Sequence, residues 1–263
     1  MSAMPQRSQL PDHGAGAELA GGGPASAKVK ICGITNLADA ELAVELGAWT
    51  LGMIFYEGSP RRCSPAEAQV ICAALRRRVE LCGVFVNAPL HEIVRDSEEL
   101  GLSMVQLHGD EGPSFCAEVA RRTGARVIKA AQVSGSGDVR DIERFHVDFH
   151  LLDARAKAVA RRGMRGGTGE SFDWGLLRAR RSKVPLILSG GLSAENVAEA
   201  IAVVRPYAVD GASGTEAAPG HKDPRKLAAF IAAVAAAGPE PARIAAATAT
   251  ASATASAGGK GPA

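Results

Sequence analysis

Titratable and reactive residues follow several short apolar segments of this chain, at the points where predicted strands end. The segment KVKICGIT places Cys32 directly before Gly33, after the alternating apolar residues Val29 and Ile31. A thiol in that position is either a small buried hydrophobic group or a reactive group that faces a site. Polar residues also follow other apolar segments, and strands that served packing alone would not need them. These residues are Arg61, Asn87, His108, Asp110, Asp153 and Asp210.

Two glycine-rich segments near the end of the chain favour an anion site. Gly190 and Gly191 follow the apolar segment LILS, and a helix is expected to begin near Ser193. Glycines let a ligand approach the backbone closely, and the free N–H groups of a helix N-terminus attract anions. Ser213 and Gly214 follow the next predicted strand and can add a hydroxyl and an N–H group. The two segments together predict a phosphate site, although glycines that serve a turn alone remain the alternative.

The elements that must position these groups alternate along residues 28–237. Eight predicted strands alternate with about eight segments of helical spacing, such as NLADAELAVELG, in which Asn36 is the expected N-cap and Gly47 the terminator. Alternating strands and helices form βαβ units, and eight of them predict a single (β/α)8 TIM barrel. An open, doubly wound sheet is the alternative. The predicted strands are KVKICGI, TLGMIF, ELCGVFV, SMVQLHG, RVIKAAQV, DFHLLDA, VPLILSG and YAVDGASG.

Composition excludes several classes of function and sets the expected boundaries. The net charge of +2 is too small to indicate a nucleic-acid partner, and no apolar run is long enough for a membrane helix. The five cysteines are scattered without zinc-ligand spacing, so we expect no metal and a reduced, cytoplasmic setting. Residues 1–27 and 238–263 are rich in Ala, Gly, Ser and Pro and are predicted to be disordered tails of the 28–237 domain.

The motifs of this chain, taken in order, resemble those of the phosphoribosylanthranilate isomerase family. The resemblance spans residues 28–236. The motifs that carry it are KICGIT, SPR followed by SP, GVFVN, QLHGDE, LLDA, GGTG followed by FDW, SGGLSAENV, DGASGTE and PGHKDPRKL.

The resemblance implies an Amadori rearrangement, an aldose-to-ketose shift within N-(5-phosphoribosyl)anthranilate in tryptophan biosynthesis. No cofactor is implied. Cys32 matches the family's general base and Asp153 its general acid, and the two must work in opposite protonation states. Cys32 is therefore expected to have a lowered pKa, which would favour the thiolate, while Asp153 is expected to hold a proton near neutral pH.

The same resemblance assigns the groups that hold a small phosphorylated substrate. Arg61 is expected beside the anthranilate carboxylate, with Arg62 as a competing candidate, because a guanidinium suits a carboxylate. His108 is expected to line the pocket, and Asp210 is expected to orient substrate hydroxyls or to buttress the catalytic groups. The phosphate is expected at Gly190, Gly191, Ser213 and Gly214, and the assembly is expected to be a monomer or a homodimer.

Three departures from the family pattern and three competing functions accompany this prediction. Glu170 stands where a lysine is common, Ala212 replaces a hydroxyl residue, and the segment 155–165 is longer and more basic than usual. The stretch GGTG at 166–169 lies in the same loop, which is either a lid or a flexible exposed loop. The competing functions are an isomerase that also accepts the aminoaldose of histidine biosynthesis, a non-catalytic ligand-binding barrel, and partner recruitment by the tails.

Overall fold

Eight parallel strands form a closed barrel in the computed structural model, which describes residues 26–153 and 174–238. The strands pair in chain order, and β1 closes the barrel against β8, with Lys28 opposite Ala208 and Ile31 opposite Gly211. The predicted (β/α)8 barrel is therefore confirmed, and all eight predicted strands are present. They are β1 Lys28–Cys32, β2 Thr50–Ile54, β3 Glu80–Phe85, β4 Met104–Leu107, β5 Arg126–Gln132, β6 Phe149–Asp153, β7 Leu186–Ser189 and β8 Ala208–Gly211.

Seven α-helices lie in the described ranges, and local capping fixes where several of them begin. Asn36, as expected, caps the first helix by accepting a hydrogen bond from the Asp39 N–H, and Ser64 and Asp223 cap two others in the same way. The helices are α1 Leu37–Glu45, α2 Pro65–Leu75, α3 Leu90–Leu100, α4 Pro113–Thr123, α5 Ser136–Ile142, α6 Val197–Val204 and α7 Pro224–Ala236.

Each barrel strand has one face toward the helices and one toward the barrel interior. On β1, Val29 and Ile31 join the apolar layer between strands and helices, whereas Cys32 belongs to the separate apolar cluster that fills the barrel. Lys30 alternates with them and has no exposed surface. The alternation seen in the sequence therefore separates two buried faces, and the interior face ends in a lysine and a cysteine.

Two features of the chain after β6 differ from the predicted alternation. The described part of the β6–β7 connection holds a 3₁₀ helix, Trp174–Ala179, instead of a further α-helix. After β8, a second 3₁₀ turn, Ser213–Thr215, leads into a short antiparallel pair, β9 Glu216–Ala218 and β10 His221–Lys222, which the sequence did not predict. The GGTG stretch, Glu170, the basic segment 155–165 and nearly all of both predicted tails lie outside the described residues.

Candidate active site at the carboxyl end of the barrel

Cys32 ends β1 at the carboxyl end of the barrel, the end at which all eight parallel strands finish. Its side chain is buried, with 6% of the residue surface exposed. Gly33 turns the chain away with a φ of +77°, a value that L side chains rarely adopt, and its N–H donates to the Gly52 carbonyl at 3.0 Å. A Cβ on Gly52 would lie 2.9 Å from the Cys32 Sγ. The absence of a side chain at Gly52 is therefore what makes room for the thiol.

A buried ion pair lies beside the thiol, inside the barrel. Lys30 Nζ is 2.8 Å from Asp210 Oδ1, and Ser189 Oγ donates to Asp210 Oδ2 at 3.0 Å. Burial, the largest single cause, would lower the pKa of Lys30, but Asp210, Cys32 and Cys82 together outweigh it, so the pKa is raised and the ammonium form is retained. Both oxygens of Asp210 are engaged by protein groups, which favours its expected role as a buttress.

The expectation of a lowered pKa at Cys32 is wrong for this structure. Burial, the largest cause, raises the pKa of the Cys32 thiol above its ordinary value, because a thiolate loses hydration in the interior. The ammonium groups of Lys30 and Lys222 act in the opposite direction, and the Asp210 carboxylate opposes them. Sequence reasoning missed this result because it does not show how completely the barrel encloses the end of β1.

The β9–β10 pair brings a second lysine to the end of β1. Lys222 Nζ donates to the main-chain oxygen of Cys32 at 2.7 Å and to that of Ala212 at 3.2 Å. The same ammonium lies 3.4 Å from Glu216 Oε1. Lys222 thus ties the carboxyl ends of β1 and β8 together, and it places a positive charge close to Cys32.

Arg61 binds the same carboxylate. Its Nε donates to Glu216 Oε1 at 2.8 Å, and its Nη2 donates to Oε2 at 2.7 Å. Arg62 instead has an exposed side chain, 44% accessible, whose ion pair with Glu57 is 3.5 Å long. Of the two predicted candidates, Arg61 is the one that the structure places at the carboxyl end of the barrel beside β1.

Asp153 ends β6 at the same end of the barrel as Cys32. The residue is buried, with 5% of its surface exposed, and its main-chain oxygen accepts a hydrogen bond from the Val133 N–H at 3.1 Å. In the strand register Asp153 lies opposite Ser189 of β7. Strands β7 and β8 separate β6 from β1 around the barrel, so Cys32 and Asp153 lie at the same end of the barrel on strands that are not neighbours.

His108 belongs to a loop that a second buried ion pair holds in place. Lys129 Nζ is 2.7 Å from Glu111 Oε2 and donates to the Gly109 oxygen. Glu111 in turn accepts hydrogen bonds from the main-chain N–H groups of Asn87 and Gly109, at 2.8 and 2.9 Å. A cavity of about 530 Å³ opens here, and His108 lines it. The lining of this cavity includes neither Cys32 nor Asp153, so the role of His108 beside the substrate stays a prediction.

The loops after β7 and β8 meet closely, as a shared phosphate site requires. Gly190 and Gly191 have φ values of +97° and +64°. A Cβ on Gly214 would overlap the Leu192 carbonyl oxygen, so the second loop can approach the first only with glycine there. Ser213 precedes this contact in the 3₁₀ turn.

The helix after the β7 loop begins later than predicted. It starts at Val197 instead of near Ser193, with Asn196 as its N-cap residue. Asn196 Oδ1 accepts the Ser193 N–H at 2.9 Å, and Asn196 Nδ2 donates to the Gly191 oxygen at 3.0 Å. Asn196 therefore shapes this loop, and the Ser193 N–H is already engaged within the protein.

Two other features of the described ranges bear on the predicted partners. They contain no group of three or more His, Cys, Asp or Glu side chains placed to hold a metal ion. None of the helices in these ranges combines the length and apolarity that crossing a membrane would require. A further cavity of about 700 Å³ lies between the β2–α2 loop and α3, and of the predicted candidates only Arg62 lines it.

Several charged residues of this region were missed by sequence reasoning. Lys30 alternates with apolar neighbours, a pattern that does not show that its own face is buried, and the closed barrel places it inside. Glu216 and Lys222 lie in motifs that carried the family resemblance, DGASGTE and PGHKDPRKL, but no spacing rule pairs them. Only the fold brings them to Arg61 and Cys32.

The closed (β/α)8 barrel carries a buried thiol, a buried carboxylate and paired glycine loops at its carboxyl end. Active sites of (β/α)8-barrel enzymes lie at this end, so the fold and the site together define an enzyme of that class. The family model described as N-(5'phosphoribosyl)anthranilate (PRA) isomerase matches residues 29–233. The chain therefore belongs to the N-(5'-phosphoribosyl)anthranilate isomerase family. The family and the isomerase class predicted from the motifs are confirmed.

Individual relatives agree with the family assignment. An N-(5'-phosphoribosyl)anthranilate isomerase from Citrifermentans bemidjiense is 46% identical over 205 residues, which cover 78% of this chain and 95% of the relative. The crystal structure of phosphoribosyl anthranilate isomerase from Thermotoga maritima has a TM-score of 0.71 at 42% identity and covers 80% of this chain and 99% of its own. A structure of such an isomerase in complex with reduced 1-(o-carboxyphenylamino)-1-deoxyribulose 5-phosphate has a TM-score of 0.67 at 40% identity, with coverages of 80% and 99%.

Proposed function

We propose that this isomerase converts N-(5'-phosphoribosyl)anthranilate into 1-(2-carboxyphenylamino)-1-deoxyribulose 5-phosphate, with Asp153 as general acid and Cys32 as general base. The observation that carries the assignment is the placement of these two buried side chains on β6 and β1, at one end of one barrel. A thiol and a carboxyl group at one end of a barrel, on strands that are not neighbours, can act on opposite sides of a single sugar.

The reaction needs one proton delivered and one removed. Asp153 gives its proton to the ring oxygen of the ribose, the C1–O bond breaks, and the anilino nitrogen forms a C1=N iminium. Cys32 then takes the proton from C2 in its thiolate form, which the raised pKa makes the minor form at neutral pH. The electron pair of that C–H bond forms C1=C2, and the iminium nitrogen receives the π electrons. The resulting enolamine tautomerises to the ketone.

The remaining predicted site residues fit the two ends of this substrate. The glycine loops after β7 and β8 hold the phosphate through Gly190, Gly191, Ser213 and Gly214, because their backbone lies close together without intervening side chains. Arg61 meets the anthranilate carboxylate with guanidinium donors, and Glu216 fixes the plane of that group. His108, which lines the cavity of about 530 Å³, is assigned to the aromatic end of the substrate.

Turnover of freshly made phosphoribosylanthranilate, followed by the loss of its fluorescence, tests this proposal. We expect kcat to fall at least about a hundredfold in Cys32→Ser and in Asp153→Asn, the scale for loss of a general base or acid. Cys72→Ser is the matched control, since Cys72 is also buried but lies on α2. Turnover of the histidine-pathway aminoaldose at a comparable rate would instead favour the broader isomerase.

The outcomes separate function from mechanism. Wild-type turnover with inactive Cys32→Ser and Asp153→Asn supports both parts of the proposal. Wild-type turnover with either variant near normal overturns the role given to that residue. A folded wild type without turnover overturns the substrate assignment.

A further inference from the structure

Lys30 is an unusual residue for the interior of a barrel. It has no exposed surface, and it lies two residues before Cys32 on the interior face of β1. An ammonium group in an apolar interior carries a large desolvation cost, which the Asp210 carboxylate at 2.8 Å offsets. An apolar residue could fill the same space at lower cost, so packing alone does not account for a lysine here.

The ammonium of Lys30 lies next to the thiol as well as next to the carboxylate. The position that a Cβ on Gly52 would take is 3.2 Å from Lys30 Nζ and 2.9 Å from Cys32 Sγ, so both atoms border the same small space. An ammonium group has three donors, and Asp210 Oδ1 uses one of them. A second donor of Lys30 is therefore available to the sulfur.

We propose that Lys30 is a positioning residue for the rearrangement: its ammonium group, held by Asp210, donates to Cys32 Sγ and stabilises the thiolate that removes the C2 proton. This inference rests on the proposed function for its catalytic part. Lys30 keeps its own protons throughout, and the proton from C2 passes to the sulfur. Asp210 accepts hydrogen bonds from both Lys30 and Ser189, and these contacts orient the ammonium.

Groups from four other elements also act on the Cys32 thiol, and they influence how far its pKa is shifted. Burial raises the pKa of Cys32, Lys30 is the largest opposing influence, and Asp210 raises the pKa in turn. The titratable or charged groups around the sulfur are Lys30 on β1, Arg61 in the loop after β2, Cys82 on β3, Asp210 on β8 and Lys222 on β10. Lys222 binds the main-chain oxygen of Cys32, so Lys30 is the lysine for which the structure places the ammonium beside the sulfur itself.

The rate at which Cys32 reacts with iodoacetamide tests the inference without requiring turnover. The rate at a fixed pH of about 8 follows the thiolate fraction, and mass spectrometry of the peptide that contains Cys32 separates it from the other four cysteines. We expect Lys30→Met to react at least about tenfold more slowly than wild type, the factor for one unit of thiol pKa. Lys30→Met leaves the Asp210 carboxylate without its ammonium partner and could therefore misfold. The double variant Lys30→Met/Asp210→Asn removes both charges and keeps the test valid in that case. Cys32 in the double variant should also react more slowly than in wild type.

A double variant elsewhere in the barrel controls for the loss of a buried ion pair. Lys129→Met/Glu111→Gln removes the pair on β5 and its loop, and Cys32 should react there at the wild-type rate. Loosening of the barrel would expose the thiol and accelerate the reaction, which is the opposite of the expected effect. Wild-type reactivity in both Lys30 variants overturns the inference.

The pH dependence of turnover tests the catalytic part. In Lys30→Met/Asp210→Asn, kcat should fall most at neutral pH and recover as the pH rises, whereas a structural defect would lower kcat by one factor at every pH. Slower alkylation with a pH-independent loss of kcat would overturn the role of this thiolate as the base. Failure of the proposed function is distinct, because it appears in the wild type or in Cys32→Ser.

Discussion

The guanidinium of Arg61 binds both oxygens of the Glu216 carboxylate, with N···O distances between 2.7 and 3.0 Å. Burial would raise the pKa of Glu216, but hydrogen bonds from Arg61 and the charge of Lys222 outweigh it, so the pKa is lowered and the carboxylate stays ionised. Such a paired contact fixes the direction of a side chain that otherwise has many rotamers.

Glu216→Gln should weaken substrate binding more than it slows the chemistry. One partner of the paired contact becomes a neutral amide, so Arg61 loses its fixed orientation toward the substrate carboxylate. We expect KM to rise about tenfold or more, the scale of one charge-assisted hydrogen bond, with a smaller change in kcat. Arg62→Ala is the control, because its exposed side chain has no comparable partner. Equal KM values for wild type and Glu216→Gln would show that Arg61 needs no such support.

Stability should decline at alkaline pH because the cysteines are buried as neutral thiols. Burial raises the pKa of Cys63 and Cys82 to about 12 and that of Cys72 and Cys116 to about 11, and it also raises the pKa of Cys32. Above a pH of about 8.5 the unfolded chain releases thiol protons that the folded chain retains, so the free energy of unfolding falls as the pH rises.

Each such cysteine contributes a loss of about 1.4 kcal/mol per pH unit between its unfolded and folded pKa values. Urea unfolding between about pH 8 and pH 10 under reducing conditions measures the slope. Cys63→Ala and Cys72→Ala should each flatten it, since each removes one titrating thiol. A slope that is the same in these variants as in wild type would contradict the account.

Gly214→Ala should damage the site and the fold together. A Cβ at Gly214 would overlap the Leu192 carbonyl oxygen, so the loops after β7 and β8 must separate. We expect a loss of about 1–3 kcal/mol in the free energy of unfolding, typical of overpacking, and a higher KM for the phosphorylated substrate. Gly137→Ala is the control, because nothing lies within 4 Å of a Cβ there and an alanine suits helix α5. Equal KM values in wild type and Gly214→Ala would argue against a phosphate at these loops.

The buried pair of Lys129 and Glu111 should show strong coupling in a double-mutant cycle. Lys129→Met alone leaves a carboxylate buried without its partner and should cost about 3–5 kcal/mol of stability. Lys129→Met/Glu111→Gln should cost less, although the Asn87 and Gly109 N–H groups then lose a charged acceptor. Chemical unfolding gives the coupling energy, and Arg95→Ala, an exposed ion-pair variant, is the control. Additive effects would show that the pair is not a unit.

The parts of this fold with local causes were predictable from sequence. Strands and helices alternate because their apolar periods differ, and Asn36 caps α1 through an interaction that spans three residues. The position of Cys32 and Asp153 at one end of the barrel follows from a general rule for parallel strands, once eight of them are counted.

Features that depend on distant contacts were not predictable in the same way. Lys30 alternates with apolar residues just as a solvent-facing lysine would, and only the closed barrel makes that face an interior one. The raised pKa of Cys32 depends on burial by other strands, which local sequence does not encode. The β9–β10 pair has strands of three and two residues, too short to give a periodic signal.

The contact of Lys222 with Cys32 also bears on how the chain matures during synthesis. A nascent chain that has emerged past Asp153 already carries both proposed proton-transfer groups, but neither β8, which closes the barrel against β1, nor Lys222, which holds the Cys32 carbonyl 190 positions earlier, has yet been made. Nearly the whole barrel therefore has to be synthesised before β1 can pair with β8 and contact Lys222. We expect a chain that ends before residue 222 to be inactive even though it carries Cys32 and Asp153, because it lacks the contact of Lys222 with Cys32.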